Sequence, residues 1–315
     1  MKQNKYSVYF TLCLLSFLFF QQETTAESTY QTQDEFQMRN NEYSSQIFSI
    51  KLFGSLDSLV GQNDVNNHLD GWNQLLNDNA NIPGFSTNGE ISPLGKSTSF
   101  GGELIFNFLP HFSIGLGAGY LQFTEPSTKT LSISGENIDF SLDSRISAIP
   151  ITLNLYYGIP IGNFLNIVVG AGAGYYLGQF SNFIQQNLGD EQISSLFESN
   201  KNTIGAQVSL NFELNIVRTM ALFFGVSGRF ATLKDLEGEE TFTYINPTEE
   251  DSVSYPDRTL WYVEEEIDGK YYTALFADND KPEGDWYRNS RKAEVSLSSI
   301  VMQFGIRIMF GQKSR

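Results

Sequence analysis

The sequence predicts an all-β fold, an eight-stranded antiparallel up-and-down transmembrane β-barrel. Three observations predict it. Apolar residues recur at every second position in run after run. The connections between those runs alternate between long and very short. An apolar leader of the kind used for export precedes them all.

The leader comes first in the chain. Lys2 and Lys5 stand before an uncharged apolar run of 13 residues, Val8 to Phe20. A membrane helix needs ~20, so this run is too short to span. Polar residues and then the small Ala26 follow, and residues 1–26 read as a secretory signal peptide. The single cysteine, Cys13, lies inside the apolar run with no small-residue lipobox before it. The mature chain then has no disulfide, and its stability must come from elsewhere; a closed hydrogen-bond ladder supplies it. Removing Lys2, Lys5 and Glu23 with the leader leaves 18 basic and 35 acidic residues, a net charge of −17 against −16 for the whole chain. Phosphate binding needs a basic face, so nucleic acid is a poor partner. Residues 27–45 are polar and read as a flexible N-terminal lead-in.

The strands follow in order. The first, 46–56, sets Phe48, Ile50 and Leu52 against Ser49, Lys51 and Ser55. A polar connection, 57–98, holds Val65, Leu69, Trp72, Leu75 and Leu76 at helical spacing, with Asn63 or Asp64 as N-cap. The second strand, 99–108, sets Phe100, Leu104, Phe106 and Phe108 against Gly101, Glu103, Ile105 and Asn107, and Leu109-Pro110-His111 turns tightly. The third, 112–124, carries Phe112, Ile114, Leu116, Ala118 and Tyr120 against Ser113, Gly115, Gly117 and Gly119. A polar loop is expected over 125–144. The fourth strand, 145–159, shows Ile149, Ile151, Leu153, Leu155 and Tyr157 on one face, and 160–163 turns into the fifth, 164–180.

After an expected loop over 181–202, the sixth strand is the cleanest. Ile204, Ala206, Val208, Leu210, Phe212, Leu214 and Ile216 alternate with Gly, Gln, Ser, Asn, Glu and Asn. Arg218-Thr219 turns into the seventh, 220–233, with Leu222, Phe224, Val226 and Phe230 on the apolar side. The longest connection, 234–292, is strongly acidic. Within it Asp268-Gly269 sits between two β-rich runs and predicts a hairpin. The last strand alternates Phe304, Ile306, Ile308 and Phe310 with Gln303, Gly305 and Arg307. Upstream, Val295 and Leu297 have the opposite parity. That predicts either a bulge near Ser298-Ser299 or a segment rising above the membrane. The barrel thus covers 46–311 and residues 312–315 form a tail.

The polar face carries the strand charges Lys51, Glu103, Glu213, Arg229 and Arg307, and it is rich in glycine at Gly115, Gly117, Gly119, Gly170, Gly172, Gly174 and Gly178. Solvent-facing strand positions seldom favour glycine, which packs nothing. Inside an eight-stranded barrel, where side chains only just fit, glycine makes room for Tyr156 and Tyr176. The apolar face is therefore expected to meet lipid. A soluble lipocalin-type barrel is the alternative, but it wants apolar residues inside and Lys or Glu outside.

With these features the chain resembles the eight-stranded outer-membrane barrels of Gram-negative bacteria: the outer-membrane protein A-like transmembrane domain, the W-type porins and the opacity-type surface proteins. The resemblance covers about residues 46–311 and rests on architecture and on the terminal alternation Phe304, Ile306, Ile308, Phe310. It implies short periplasmic turns, long extracellular loops, surroundings of outer-membrane lipid, and a final aromatic read by the barrel-insertion machinery. Here Phe310 is followed by Gly311-Gln312-Lys313-Ser314-Arg315, a departure from that pattern.

For function, Lys51 with Glu103, and Glu213 with Arg307 or Arg229, are expected to pair as a charge network filling the lumen, because unpaired buried charge is costly. Trp72, Trp261, Tyr262, Tyr271 and Tyr272 are candidates for an extracellular recognition surface, or equally for a lid over the loop-one helix. No catalytic residue, cofactor or metal site is assigned. Asp278 to Asp285 fails the calcium-loop spacing, because its glycine comes one residue late. The expected role is non-enzymatic: structure or adhesion-type surface interaction through acidic outer loops, with an unnamed surface ligand. The alternative, which the W-type resemblance implies, is a narrow channel or uptake site for a small molecule, polar or apolar, that enters beneath the loop-one helix. A remote third reading is a lipid acyl-modifying enzyme built on His68.

Overall fold

The computed structural model describes residues 48–310 except 62, 134–135 and 163, so the expected leader, lead-in and tail lie outside the described residues. Eight antiparallel strands form the wall: β1 (Phe48–Leu59), β3 (Lys96–Leu109), β4 (Phe112–Ile133), β5 (Glu136–Ile161), β6 (Leu165–Leu188), β7 (Glu191–Val217), β8 (Met220–Phe230) and β15 (Ser299–Phe310). They pair in that order, and β15 pairs back onto β1 with Phe48 opposite Phe310, so the ring closes. This is the eight-stranded up-and-down barrel. The turns between β3 and β4, β5 and β6, and β7 and β8 are short.

Side chains follow the parity that the sequence sets. In the lower half, outward positions carry exposed apolar groups, such as Leu104, Leu116, Leu153, Leu155, Leu210 and Phe224. The outward apolar run on β5, Ile149 to Ile161, is the length of a membrane crossing, for which a tilted strand needs ~9–11 residues. Aromatics gather at the turn end, where Phe48 stacks on Phe310 at 5.0 Å and Phe112 meets Tyr157 at 4.9 Å. An apolar band edged by aromatics is the surface a barrel presents to a bilayer. The inward glycines hold the space expected of them. A Cβ on Gly170 would lie 2.5 Å from the Tyr156 ring, and one on Gly174 would lie 2.9 Å from the Tyr176 ring.

The wall strands do not stop at the top of this band. β5 has 26 residues and β7 has 27. Most of the segments expected as polar loops, 125–144 and 181–202, are strand: β4 and β5 remain paired up to Ile133 opposite Glu136, and β6 and β7 up to Leu188 opposite Glu191. In this upper storey the polarity of the wall reverses while its parity stays fixed. Leu121, Phe123, Phe140, Leu142, Ile146, Phe180 and Phe197 face inward and are buried. Val295 and Leu297 belong to the same inward core. They share the odd parity of Gln303 and Arg307, so no bulge reverses the last strand; a break in the ladder at 297–298 separates β14 (Val295–Ser296) from β15. β14 pairs with β9 (Thr232–Leu233), which bends into the barrel until Leu233 meets Gly178 of β6.

Chain from the first and last long connections completes the upper storey. β2 (Phe85–Glu90) pairs with the upper part of β4. β10 (Glu237–Asn246) pairs with the upper part of β7, then with β11 (Glu249–Ile267), which pairs with both β12 (Lys270–Asp278) and β13 (Tyr287–Lys292). The expected hairpin is present, with Asp268 and Gly269 both at positive φ between β11 and β12, as a two-residue type I′ turn requires. The sheet would end in open edges at β2 and β12. The helix α1 (Asp64–Asn79) packs against both and covers the edge of β12.

Candidate functional site

The lumen is filled in layers. Nearest the short turns, Arg307 Nη1 donates to Glu213 Oε2 at 2.9 Å and Arg307 Nε donates to Ser49 Oγ at 2.9 Å. One layer up, Glu103 accepts from Tyr156 Oη at 2.8 Å and from Asn154 Nδ2 at 2.7 Å. Lys51 stands in register between Glu103 and Arg307, yet it does not close to ion-pair distance with Glu103. Its ammonium lies 4.1 Å from the centre of the Phe223 ring instead, a cation–π contact. The third layer pairs Arg229 with Asp57 at 3.0 Å, and Asp57 also accepts from Ser99 Oγ at 2.5 Å.

Of the pairs expected from sequence, Glu213 with Arg307 forms and Lys51 with Glu103 does not. Lys51 rests on aromatic faces rather than on Glu103. Arg229 takes Asp57, not Glu213. Asp57 was missed because the first strand was ended at Leu56; its odd parity, shared with Lys51 and Ser55, was the available signal. A cavity of about 60 Å3 remains among these groups, room for a few waters. Above it Leu121, Phe123, Ile146, Tyr176 and Phe180 are fully or almost fully buried.

The second centre lies in the upper storey, around α1. Asn63 caps the helix, accepting the Val65 N–H at 3.1 Å, and Val65, Leu69 and Leu76 are buried beneath it. Polar contacts tie the helix down on several sides. Arg291 grips Asp64 through two bonds of 2.6 Å. Lys129 of β4 donates to Asn73 Oδ1 at 2.6 Å and to Asn77 Oδ1 at 2.7 Å. Asn66 exchanges two bonds with the Leu94 backbone, and Thr273 of β12 donates to the Asn67 carbonyl. Gly71 permits the close approach to β12: a Cβ there would lie 2.1 Å from the Thr273 carbonyl oxygen.

His68 is buried on the same face, and its Nδ1 accepts the Leu275 N–H at 3.1 Å. Burial pulls its pKa down to about 4. Tyr272 donates to Asp78 at 2.7 Å; burial, then that carboxylate, push its phenol up to about 12.

The five aromatics singled out from sequence do not form one exposed patch. Trp72 packs 5.8 Å from Phe140, Tyr272 holds α1, and Tyr262 lies buried under the Arg291 guanidinium at 4.4 Å. Those three build the lid. Trp261 donates to the Asp278 carbonyl at 3.1 Å, and Tyr271 lies against Arg288 at 3.5 Å; both are half-exposed. The most exposed aromatic of this region is Trp286, at 68 %, in the acidic turn before β13. Among the described residues no group of three His, Cys, Asp or Glu side chains converges as a metal site.

No protein-family model matches the chain, and no curated protein matches it significantly in sequence. Among solved structures the chain is similar to the outer membrane protein OprG from Pseudomonas aeruginosa, at 14% identity over 84% of this chain and 96% of that one, with a TM-score of 0.38. It is also similar to the outer membrane protease OmpT from Escherichia coli, at 8% identity over 84% of this chain and 97% of that one, with a TM-score of 0.27.

Proposed function

We propose that this chain is an integral outer-membrane barrel that does not conduct and does not catalyse, and that works at the cell surface through its rigid upper storey. The observation that carries the reading is the filled lumen. Three layers of paired or stacked charge lie beneath a dry core of Leu121, Phe123, Tyr176 and Phe180, and the gap between them holds about 60 Å3. A hydrated ion has no path through that sequence of layers. The outer connections are built to present a surface: they are strand and helix, braced by Arg291–Asp64 and Lys129–Asn73, and not slack chain. Rigid scaffolds of this kind position loop residues for recognition.

An enzyme reading draws no support from His68, whose Nδ1 is committed to a backbone amide and whose ring helps dock α1. The narrow-channel reading requires the layers to part. Planar-bilayer recording of the purified mature chain separates the two. Silence across ±100 mV, with surface binding that disappears when residues 240–290 are trimmed, is the expected result. Discrete conductance steps that vanish on lumen substitutions such as Gln303→Trp would establish the channel instead.

A further inference from the structure

β11 changes neighbours along its length. It pairs on one side with β10, from Glu249 to Thr259, and on the other side with β12, from Thr259 to Ile267. Its first part, Glu249 to Arg258, therefore has a neighbour on one side only, and among the described residues no strand pairs with the other side. β10 is itself paired to β7 over the same height, from Gly238 with Ser199 to Ile245 with Gln192. The free edge thus belongs to a sheet already held in place, not to an isolated hairpin.

Glu249 turns its N–H back toward β10, where Asn246 Oδ1 accepts it at 2.8 Å. Backbone groups alternate sides along a strand, so the N–H and C=O groups of Glu250, Ser252 and Ser254 point to the free side. Residues 249–257 are exposed without a break. Pro256, which has no N–H, and Asp257, at a φ of +58°, end the run that can pair.

Side chains and charge say what fits there. One face of the hairpin is polar, with hydroxyl contacts of 2.9 Å between Thr241 and Ser254 and 3.2 Å between Thr243 and Ser252. On the other face Val253 lies opposite Phe242, and the Tyr255 ring meets Phe242 at 6.0 Å; all three are exposed. Residues 237–257 hold seven acidic side chains and no basic one. Arg258, at the foot of the run, is paired with Asp278 at 2.8 Å. In one membrane two copies stand the same way up, so their edges would meet in parallel with carboxylates beside carboxylates. Acidic groups and a proline keep such like edges apart. The same charges attract a basic strand.

We propose that the free edge of β11 takes up an extended basic peptide segment of a partner protein as an added antiparallel strand. Apolar side chains at alternate positions of that segment lie with Val253 and Tyr255, and its Lys or Arg residues meet Glu249, Glu250 and Asp251. The site rests on the surface role above and specifies the chemistry of its partner.

The probe is acetyl-Val-Thr-Val-Thr-Lys-Lys-Lys-amide, added to the mature chain in phosphatidylcholine nanodiscs, whose lipid carries no net charge to hold it. Saturable binding of one peptide per chain is expected, weakening as salt rises, with slowed hydrogen exchange at the amides of Glu250, Ser252 and Ser254. N-methylation of both threonines, whose N–H groups face β11, is expected to weaken binding about tenfold or more. N-methylation of both valines, whose N–H groups face away, is expected to change it less than about twofold. Ser252→Pro removes an N–H that bonds nothing within the sheet, so the strand is retained. It is expected to show the same loss as the methylated threonines, and Ser252→Ala none. Glu249→Gln with Glu250→Gln and Asp251→Asn is expected to weaken binding several-fold and to flatten its salt dependence.

Equal losses for the two methylated peptides, or no loss in Ser252→Pro, overturn strand addition. Protection of the three amides without peptide, with two chains in each disc, assigns the edge to a second copy and overturns the basic partner. No binding at millimolar peptide overturns the site but leaves the surface role standing, provided that surface binding is still lost on trimming residues 240–290. Conductance steps in planar bilayers overturn that role whatever the peptide does.

Discussion

The lower and upper halves of β4 are the same strand in two solvents. Below, Gly115, Gly117 and Gly119 point inward and Ile114 and Leu116 point outward; above, Leu121 and Phe123 point inward and Gln122 and Thr124 point outward. The pleat never slips, since β4 stays antiparallel to β5 through both halves. What changes is the medium outside. Where hydrocarbon covers the wall, the inside can be polar as long as its charges are paired. Where water covers it, the inside must be apolar, as in any soluble barrel. One chain thus follows two rules for stability, and the border between them lies near Tyr120 on β4 and between Leu177 and Gln179 on β6.

Substitutions of equal chemistry on either side of that border should have unequal effects. The largest is expected in the upper core. Phe180→Ala should cost about 3–5 kcal/mol in urea unfolding from vesicles, because it opens a cavity that no solvent fills. Leu155→Ala on the outer face should cost less than about 2 kcal/mol, because acyl chains close over the gap. Polar burial should show the reverse asymmetry in the lower half. Glu213→Gln alone should cost about 3 kcal/mol by stranding the Arg307 charge, while Glu213→Gln with Arg307→Met should recover most of that, as a double-mutant cycle would report.

Charge on the outer wall sharpens the comparison further. Leu153→Arg, at a site 55 % exposed in the middle of the band, should cost about 2–4 kcal/mol. Gln179→Arg should change stability by less than about 0.5 kcal/mol. An effect of pH is expected only in the upper storey. Buried His68 has a pKa depressed from 6.5 to about 4, so the unfolded chain binds the proton more readily between those values. The stability that neutral His68 gives is present above pH 6.5 and is lost as pH falls toward 4. The protection factor of the Leu275 amide, its exchange rate relative to the intrinsic rate at the same pH, should fall over that window while those of β1 and β15 stay constant.

The lower half was legible in the sequence because lipid permits no gaps in the alternation: Ile204 to Ile216 and Phe304 to Phe310 declare their faces residue by residue. The charge network was legible by parity, except where a strand was cut one residue short of Asp57. The upper storey was not read. Its alternation is present, in Leu131 and Ile133, then Ile138, Phe140 and Leu142, but Pro126, Ser and Asn dilute it, and its apolar parity is the reverse of that below. The roof was beyond local reading altogether. Tyr272 holds Asp78 across 194 residues of chain, and His68 meets Leu275 across 207; no periodicity records such a pairing. The helix itself was visible from its spacing and its Asn63 cap, and the hairpin from Asp268-Gly269, so the parts were readable where their assembly was not.

The most direct test is a spin-label scan of the outward positions of β6, from Val169 through Ala171, Ala173, Tyr175 and Leu177 to Gln179, Ser181 and Phe183, in lipid bilayers. Collision with oxygen should dominate through Leu177 and collision with a water-soluble nickel complex should dominate from Gln179 upward. Nickel access at all positions, or oxygen preference that continues unbroken to Phe183, would contradict a wall that changes solvent part-way up.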